Sequence, residues 1–372
     1  MSQLYTCRGL SAAHNAAPAL PLPNRPLVVD FHCHMVVPAA EALARPHQPL
    51  TPEPAHLYSS GETRKVNLAM LERIRQQLTS VERRLADMDA AGVDIQVLSP
   101  SPGHYCYWAE EDLALQIART VNDALCEVAA SNSRRMVALG TLPMQSPRLA
   151  VQELRRCVLE LGMRGVEIST NVNGAELADP RFEPVLAAAE ELGAIVFLHP
   201  AGFTHGQRLT DFHLNNVIGN PLETTVALSH LIYGGSLDRM PGLKLVLAHG
   251  GGTLGAYTGR FDHAHHARID CAHCKHPPSH YLRQMHFDSV VFDPVELQHL
   301  IGKFGIDRIL AGTDYPYDMA EPDLLGFIGR AALSADDAAA LLGRNAARLL
   351  GLDPEAARLA ARGSQALRLM GR

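Results

Sequence analysis

Short apolar runs rich in β-branched residues alternate along the chain with longer amphipathic stretches. Eight such runs occur: Leu27–Phe31, Val93–Leu98, Met136–Leu142, Gly165–Ser169, Ala194–Leu198, Leu243–Ala248, His286–Val291 and Arg308–Gly312. Most carry apolar residues on both parities, as strands buried on both faces do. Helical periodicity predicts helices over Ser80–Ala91, Glu111–Ala130, Pro147–Leu161, Pro180–Leu192, Pro221–Tyr233 and Pro294–Phe304. Prolines open several of them, and Gly92, Gly162, Gly193, Gly234 and Gly305 follow their last turns. Strand and helix repeated eight times predict an α/β fold of the (β/α)8 TIM barrel type. An open doubly wound sheet is the alternative. The barrel is preferred because the polar residues below require strands 1, 5, 6 and 8 to converge at one end.

Two segments depart from the repeat. Val37–Thr79, after strand 1, is a long, Pro-rich insertion that turns helical late. In a barrel it would overhang the C-terminal mouth, where substrates bind. Thr258–Tyr281, after strand 6, reads as a His- and Cys-rich loop. Ser334–Leu350 and Pro354–Leu369 are Ala/Leu/Arg-rich and predict extra C-terminal helices. The expected organisation is a loosely ordered arm over 1–26, a barrel domain over 27–352 and a C-terminal helix over 353–372.

Composition narrows the class. The 372 residues are 47% hydrophobic and 19% charged, which supports a large core and excludes global disorder. A net charge of −6 without a long basic run argues against a nucleic-acid partner. No apolar run reaches the roughly 18 residues a membrane span needs. The start of the chain lacks the pattern of a signal peptide. Seven scattered cysteines do not suggest a disulfide framework, so the cytoplasm is the expected location.

Nineteen histidines are many for this length. Strand 1 ends in Asp30-Phe31-His32-Cys33-His34, and residues i and i+2 of a strand share a face. His32 and His34 should therefore project together. Strand 5 ends at His199, strand 6 at His249 before three glycines, and strand 8 at Thr313-Asp314-Tyr315-Pro316. His32, His34, His199 and Asp314 fit one divalent metal with an open position, zinc first and manganese as the alternative. His249 is either a further nitrogen ligand or a proton carrier one step out. Gly250, Gly251 and Gly252 are expected to let the backbone approach the pocket. Asp30 is either a partner of the ligands or a support of the barrel floor. Cys271-x-x-Cys274, among histidines, is either a second, structural zinc site or a solvated interface loop, the loop being preferred because a second ligand pair at standard spacing is lacking. Trp108, after strand 2, either lines the pocket or packs at a helix start.

With HxH after strand 1, His-Pro after strand 5, AHGGG after strand 6 and GTDYP after strand 8, the chain resembles the amidohydrolase superfamily. Within it the similarity is to the branch typified by 2-amino-3-carboxymuconate-6-semialdehyde decarboxylase, from about Leu27 to Leu352. The resemblance implies a metal-dependent, non-oxidative decarboxylase of a small unsaturated or aromatic acid. A hydrolase or hydratase on the same site is the alternative. It also implies that His32, His34, His199 and Asp314 are ligands and that His249 is bonded to metal-bound water. It implies a homodimer in which Arg260, eleven residues after His249, reaches the neighbouring subunit's substrate. Arg75 is the better match to an arginine of the first overhanging loop. His199-Pro200-Ala201 stands where the family decarboxylase has His-Pro-Trp. In such an enzyme arginines clamp substrate oxygens, and His249 or Asp314 delivers the proton.

Overall fold

The structure is a computed structural model that describes residues 25–51 and 53–370. The predicted arm over 1–26 lies almost wholly outside the described residues. Arg25, at its end, is buried and paired with Asp94 at 2.9 Å, so it belongs to the barrel.

Eight parallel strands run in chain order: β1 (Val29–Met35), β2 (Ile95–Pro100), β3 (Met136–Ala138), β4 (Gly165–Ile168), β5 (Ile195–Leu198), β6 (Lys244–Leu247), β7 (His286–Asp288) and β8 (Ile309–Leu310). The ladders form a three-stranded sheet, β1-β2-β3, and a five-stranded sheet, β8-β7-β6-β5-β4. Two isolated parallel bridges close the ring, Gly140 to Val166 and Cys33 to Tyr315. The amide of Phe31 also donates to the Ala311 carbonyl at 2.8 Å, joining the first strand to the last. The fold is a (β/α)8 barrel.

Some strands are shorter than their apolar runs. The run Met136–Leu142 pairs as far as the Gly140 bridge and then leaves the sheet, where the Asn122 amide takes over the backbone of Thr141, donating to its carbonyl at 3.0 Å and accepting its N–H at 2.7 Å. β1 is longer than predicted and carries a register slip between Asp30 and Cys33. Before the slip, Val29 and Phe31 face the inner cluster with Phe197, Val246 and Leu310. After it, Cys33 faces the outer cluster, which leaves His32 and His34 pointing inward. A bulge thus re-aims the two imidazoles. Below them, Phe31 and Phe197 meet edge to face with centroids 5.9 Å apart, an arrangement worth about 1 kcal/mol beyond burial.

The helix Pro354–Met370 buries Ala361 in the inner cluster, and its Arg362 donates to Asp94 at 3.3 Å. The insertion after β1 folds as helices Pro38–Ala44, Pro54–Leu57, Gly61–Arg73 and Arg75–Thr79. The predicted loop over 258–281 is a correction: its first half continues a helix, Leu254–Ala267, and a further turn forms at Pro278–Leu282. Among the described residues, no helix is long and apolar enough to cross a membrane.

Candidate metal centre

His32, His34, His199 and Asp314 come together at the C-terminal end of the barrel, all buried, with one donor atom from each within 4.8 Å of the others. Outer partners fix the direction of each ring. His32 Nδ1 faces Asp288 Oδ2 at 2.5 Å, and His34 Nδ1 faces the Pro100 carbonyl at 3.0 Å. With both Nδ1 positions donating, both Nε2 atoms present lone pairs, and these lie only 3.1 Å apart. Asp314 Oδ1 adds a third electron-rich atom, 3.4 Å from His32 Nε2 and 3.2 Å from His34 Nε2. Neither ring nitrogen of His199 has a hydrogen-bond partner, nor does Asp314 Oδ1. Orphaned buried acceptors converging on one point are unfavourable unless a cation sits between them. The residues present fit a divalent metal.

The electrostatics agree. Burial opposes charge on His34, but Glu167 and Asp314 outweigh it and lift its pKa to about 8. The field that holds a proton there would equally hold a cation. His199 is pushed well below its ordinary value by burial and by the neighbouring imidazoles, so it stays neutral with its lone pair free. Burial of Asp314 is overridden by the nearby imidazoles of His32, His249 and His34, which hold its pKa well below the usual carboxylate value.

His249 stands beside this group. Its Nε2 is 3.7 Å from Asp314 Oδ2, and its ring is 5.0 Å from that of His199. It remains partly exposed. Its backbone has φ +55°, an uncommon left-handed conformation. Asp288 pins that turn by accepting from His249 N at 2.9 Å and Gly250 N at 2.8 Å. The three glycines do not face the pocket, contrary to expectation. A Cβ on Gly252 would fall 2.1 Å from the Pro221 carbonyl, so they allow packing against the barrel wall. Asp30 is a support: it accepts from Thr313 N at 3.0 Å and Thr313 Oγ1 at 2.7 Å, fixing the residue before Asp314.

A cavity of about 480 Å³ opens above the cluster, bounded below by His199 and Asp314 and above by the insertion. Trp108 does not line it and packs against the outer core instead. His104 and Cys106, from the same segment, do line it. Arg75 is exposed at a helix start away from the cavity, because the helix Gly61–Arg73 ends before it. The arginines at the cavity are Arg45 and Arg64. Arg260 is exposed on its helix and does not line its own chain's cavity. Sequence reasoning missed Asp288, Glu167 and these two arginines. Asp288 and Glu167 are each a lone carboxylate inside an apolar run, and the observed β7 ends at Asp288. Glu167 accepts from Tyr105 at 2.7 Å, and burial raises its pKa to about 7.

The family described as Amidohydrolase matches residues 29–352. The chain belongs to the amidohydrolase family. A curated relative of this amidohydrolase, 2-amino-3-carboxymuconate-6-semialdehyde decarboxylase of Dictyostelium discoideum, is 39% identical over 73% of this chain and 76% of its own. Among solved structures, 5-carboxyvanillate decarboxylase from Sphingomonas paucimobilis superposes with a TM-score of 0.80 at 26% identity, over 88% of this chain and all of its own. The 5-carboxyvanillate decarboxylase of Novosphingobium aromaticivorans, complexed with manganese and 4-hydroxy-3-methoxy-5-nitrobenzoic acid, shares the fold with a TM-score of 0.77 at 23% identity, over 88% and 96%.

Proposed function

We propose that this amidohydrolase is a divalent-metal-dependent, non-oxidative decarboxylase of a small aromatic or unsaturated carboxylic acid. The observation that carries the reading is the convergence of buried donor atoms on His32, His34, His199 and Asp314, those of His199 and Asp314 Oδ1 without a hydrogen-bond partner, in a chain 39% identical to a decarboxylase. These four residues would hold the ion, which supplies Lewis acidity toward a substrate oxygen beside the leaving carboxylate. Three imidazoles and one carboxylate favour zinc. Manganese, present in the Novosphingobium neighbour, is the alternative, and elemental analysis distinguishes them.

The protein's own groups do the rest. The bond from ring or alkene carbon to the carboxylate breaks, its electron pair stays on carbon, and a proton replaces the departing CO2. Asp314 is held ionised, which leaves His249 Nε2 as the proton carrier at the cavity edge. Asp288 holds the His249 turn in place. Arg45 and Arg64 are the guanidinium groups at the cavity, beside Glu41 and Asp318. They would pair with a substrate carboxylate, and the overhanging helices restrict water. We infer a homodimer in which Arg260, not used within its own chain, enters the partner's cavity. Cysteines unpaired among the described residues support a cytoplasmic setting.

The test is incubation of metal-loaded protein with 2,6-dihydroxybenzoate and 5-carboxyvanillate as panel acids, followed by mass spectrometry. Loss of CO2 from at least one is expected, and it should vanish with bound metal in the His32→Ala/His34→Ala double variant. A product heavier by one water would overturn the reading in favour of hydration or hydrolysis. Full metal occupancy in the double variant would sink the ligand assignment.

A further inference from the structure

A second chamber of about 200 Å³ adjoins the first. Both are lined by Glu53, Tyr58, Ala201 and Gly202, so these residues form the junction. The junction is built. The Ala55 amide donates to the Ala201 carbonyl at 3.1 Å, clamping the insertion onto the turn that follows His199. Gly202 has φ +91°, and a Cβ there would lie 2.4 Å from Ala55 N, so only glycine permits this approach. Glu53 sits two residues before the clamp and is fixed by it.

Several other polar groups of the small chamber are engaged. Tyr105 donates to Glu167 at 2.7 Å, the Tyr107 hydroxyl accepts from Ser169 N at 3.2 Å, and Asn171 donates to Glu223 at 2.6 Å. Asn173 donates to the Tyr107 carbonyl at 2.7 Å. Glu53 differs. It caps the helix Pro54–Leu57 by position, yet its side chain makes no capping bond. Burial alone acts on its carboxyl, with no charge or hydrogen bond opposing it among the described residues, and raises its pKa to about 8. Glu53 is partly exposed at the junction, so water satisfies its carboxyl there and a ligand hydroxyl or N–H can replace that water.

We propose that Glu53 is a specificity-determining residue of a second substrate subsite, the smaller chamber. That subsite takes an uncharged substituent whose hydroxyl or amide N–H hydrogen-bonds to the Glu53 carboxyl. The inference rests on the decarboxylase reading for the acid that occupies the metal-side cavity, but not on turnover. Ala201 contributes only a methyl group at the junction, so a substituent can pass from one chamber to the other. An uncharged arm is selected because, among the described residues, no charged side chain other than Glu53 lines the small chamber. Burying a charge there would go uncompensated.

The experiment is calorimetric binding to the metal-loaded protein of salicylate probes in matched pairs, 4-methyl against 4-hydroxymethyl and 5-methyl against 5-hydroxymethyl. In one pair the hydroxymethyl probe should bind about tenfold more tightly, the scale of one buried hydrogen bond. That preference should fall to within about twofold in Glu53→Leu and survive in part in Glu53→Gln. Ala201→Leu, which fills the junction, should weaken the hydroxymethyl probe more than plain salicylate. Thermal melts of each variant separate a folding defect from loss of recognition. Absence of preference in both pairs, absence of binding by all probes, or a preference retained in Glu53→Leu overturns the subsite. CO2 release is scored separately. Preference without turnover overturns the decarboxylase reading alone, and turnover without preference overturns the subsite alone.

Discussion

Replacing Asp288 by Asn should damage the metal centre without touching a ligand. The carboxylate accepts four hydrogen bonds: His32 Nδ1 at 2.5 Å and His249 N at 2.9 Å on Oδ2, and Gly250 N at 2.8 Å and Val290 N at 3.1 Å on Oδ1. Burial pushes its pKa up, but His32 and these amides outweigh that and hold it below the usual range. An amide offers one oxygen and one NH2 group, so two of the four donors lose their acceptor. With the NH2 toward His32, the ring proton must move to Nε2, which destroys the lone pair aimed at the metal. With the NH2 toward Gly250 and Val290, two buried amides are orphaned at about 1–3 kcal/mol each. Partners of metal-bound histidines are worth about 10–100-fold in metal affinity, or about 1.4–2.7 kcal/mol. Competition against a chromophoric chelator at pH 7 measures this directly, with a thermal melt beside it. A metal Kd within about threefold of the parent, with an unchanged melt, would refute the argument that Asp288 sets the His32 tautomer.

Three further outcomes are expected. His249→Asn should keep most of the metal and lose on the order of 10²–10⁴ in rate; metal lost in step with activity would make His249 a ligand. Mixing Arg260→Ala with His249→Asn chains should restore activity at up to about half the heterodimer sites by the positioning argument, because one site then escapes both lesions. No recovery, with heterodimers shown to form, confines Arg260 to its own chain or to no role. His104 is buried and accepts the Val37 N–H at 2.9 Å, and burial lowers its pKa from 6.5 to about 4. The unfolded chain therefore takes up this proton at higher pH than the folded one. The stability involved is fully present above about pH 6.5 and is lost as pH falls toward 4, by roughly 3 kcal/mol at most. Urea unfolding of His104→Gln should show a shallower acid slope; an unchanged slope would dismiss the effect.

The barrel and four converging donors were legible because strand ends follow a period of two and every candidate ligand follows an apolar run. His199 and Asp314 needed nothing more. The inward aim of His32 and His34 depends on a bulge between Asp30 and Cys33, which alternation alone does not announce. The insertion was opaque for a different reason. Its helices are positioned by contacts such as Ala55 to Ala201, and no periodicity encodes which arginine faces the cavity. Arg75 matches the family's arginine by its place in the sequence, whereas the arginines that reach the cavity are Arg45 and Arg64, and Glu53 carries no sequence signal. Trp108 was a choice between wall and core that only packing decides. The segment 258–281 misled through its composition, since histidines are compatible with a helix once its other face packs.

Closure of the ring has a consequence for how the protein is made. Asp30 and the Thr313 that it holds are 283 positions apart, so the first histidines leave the ribosome long before the carboxylate that completes their set. At ordinary synthesis rates the interval is roughly a quarter of a minute to a minute. Through that time the nascent chain offers two imidazoles without their acidic partner, and the last strand has not sealed the sheet. An ion held by all four residues would therefore lock a nearly finished barrel rather than template its start, and a chain truncated before Asp314 should emerge with an open seam and an incomplete set of candidate ligands.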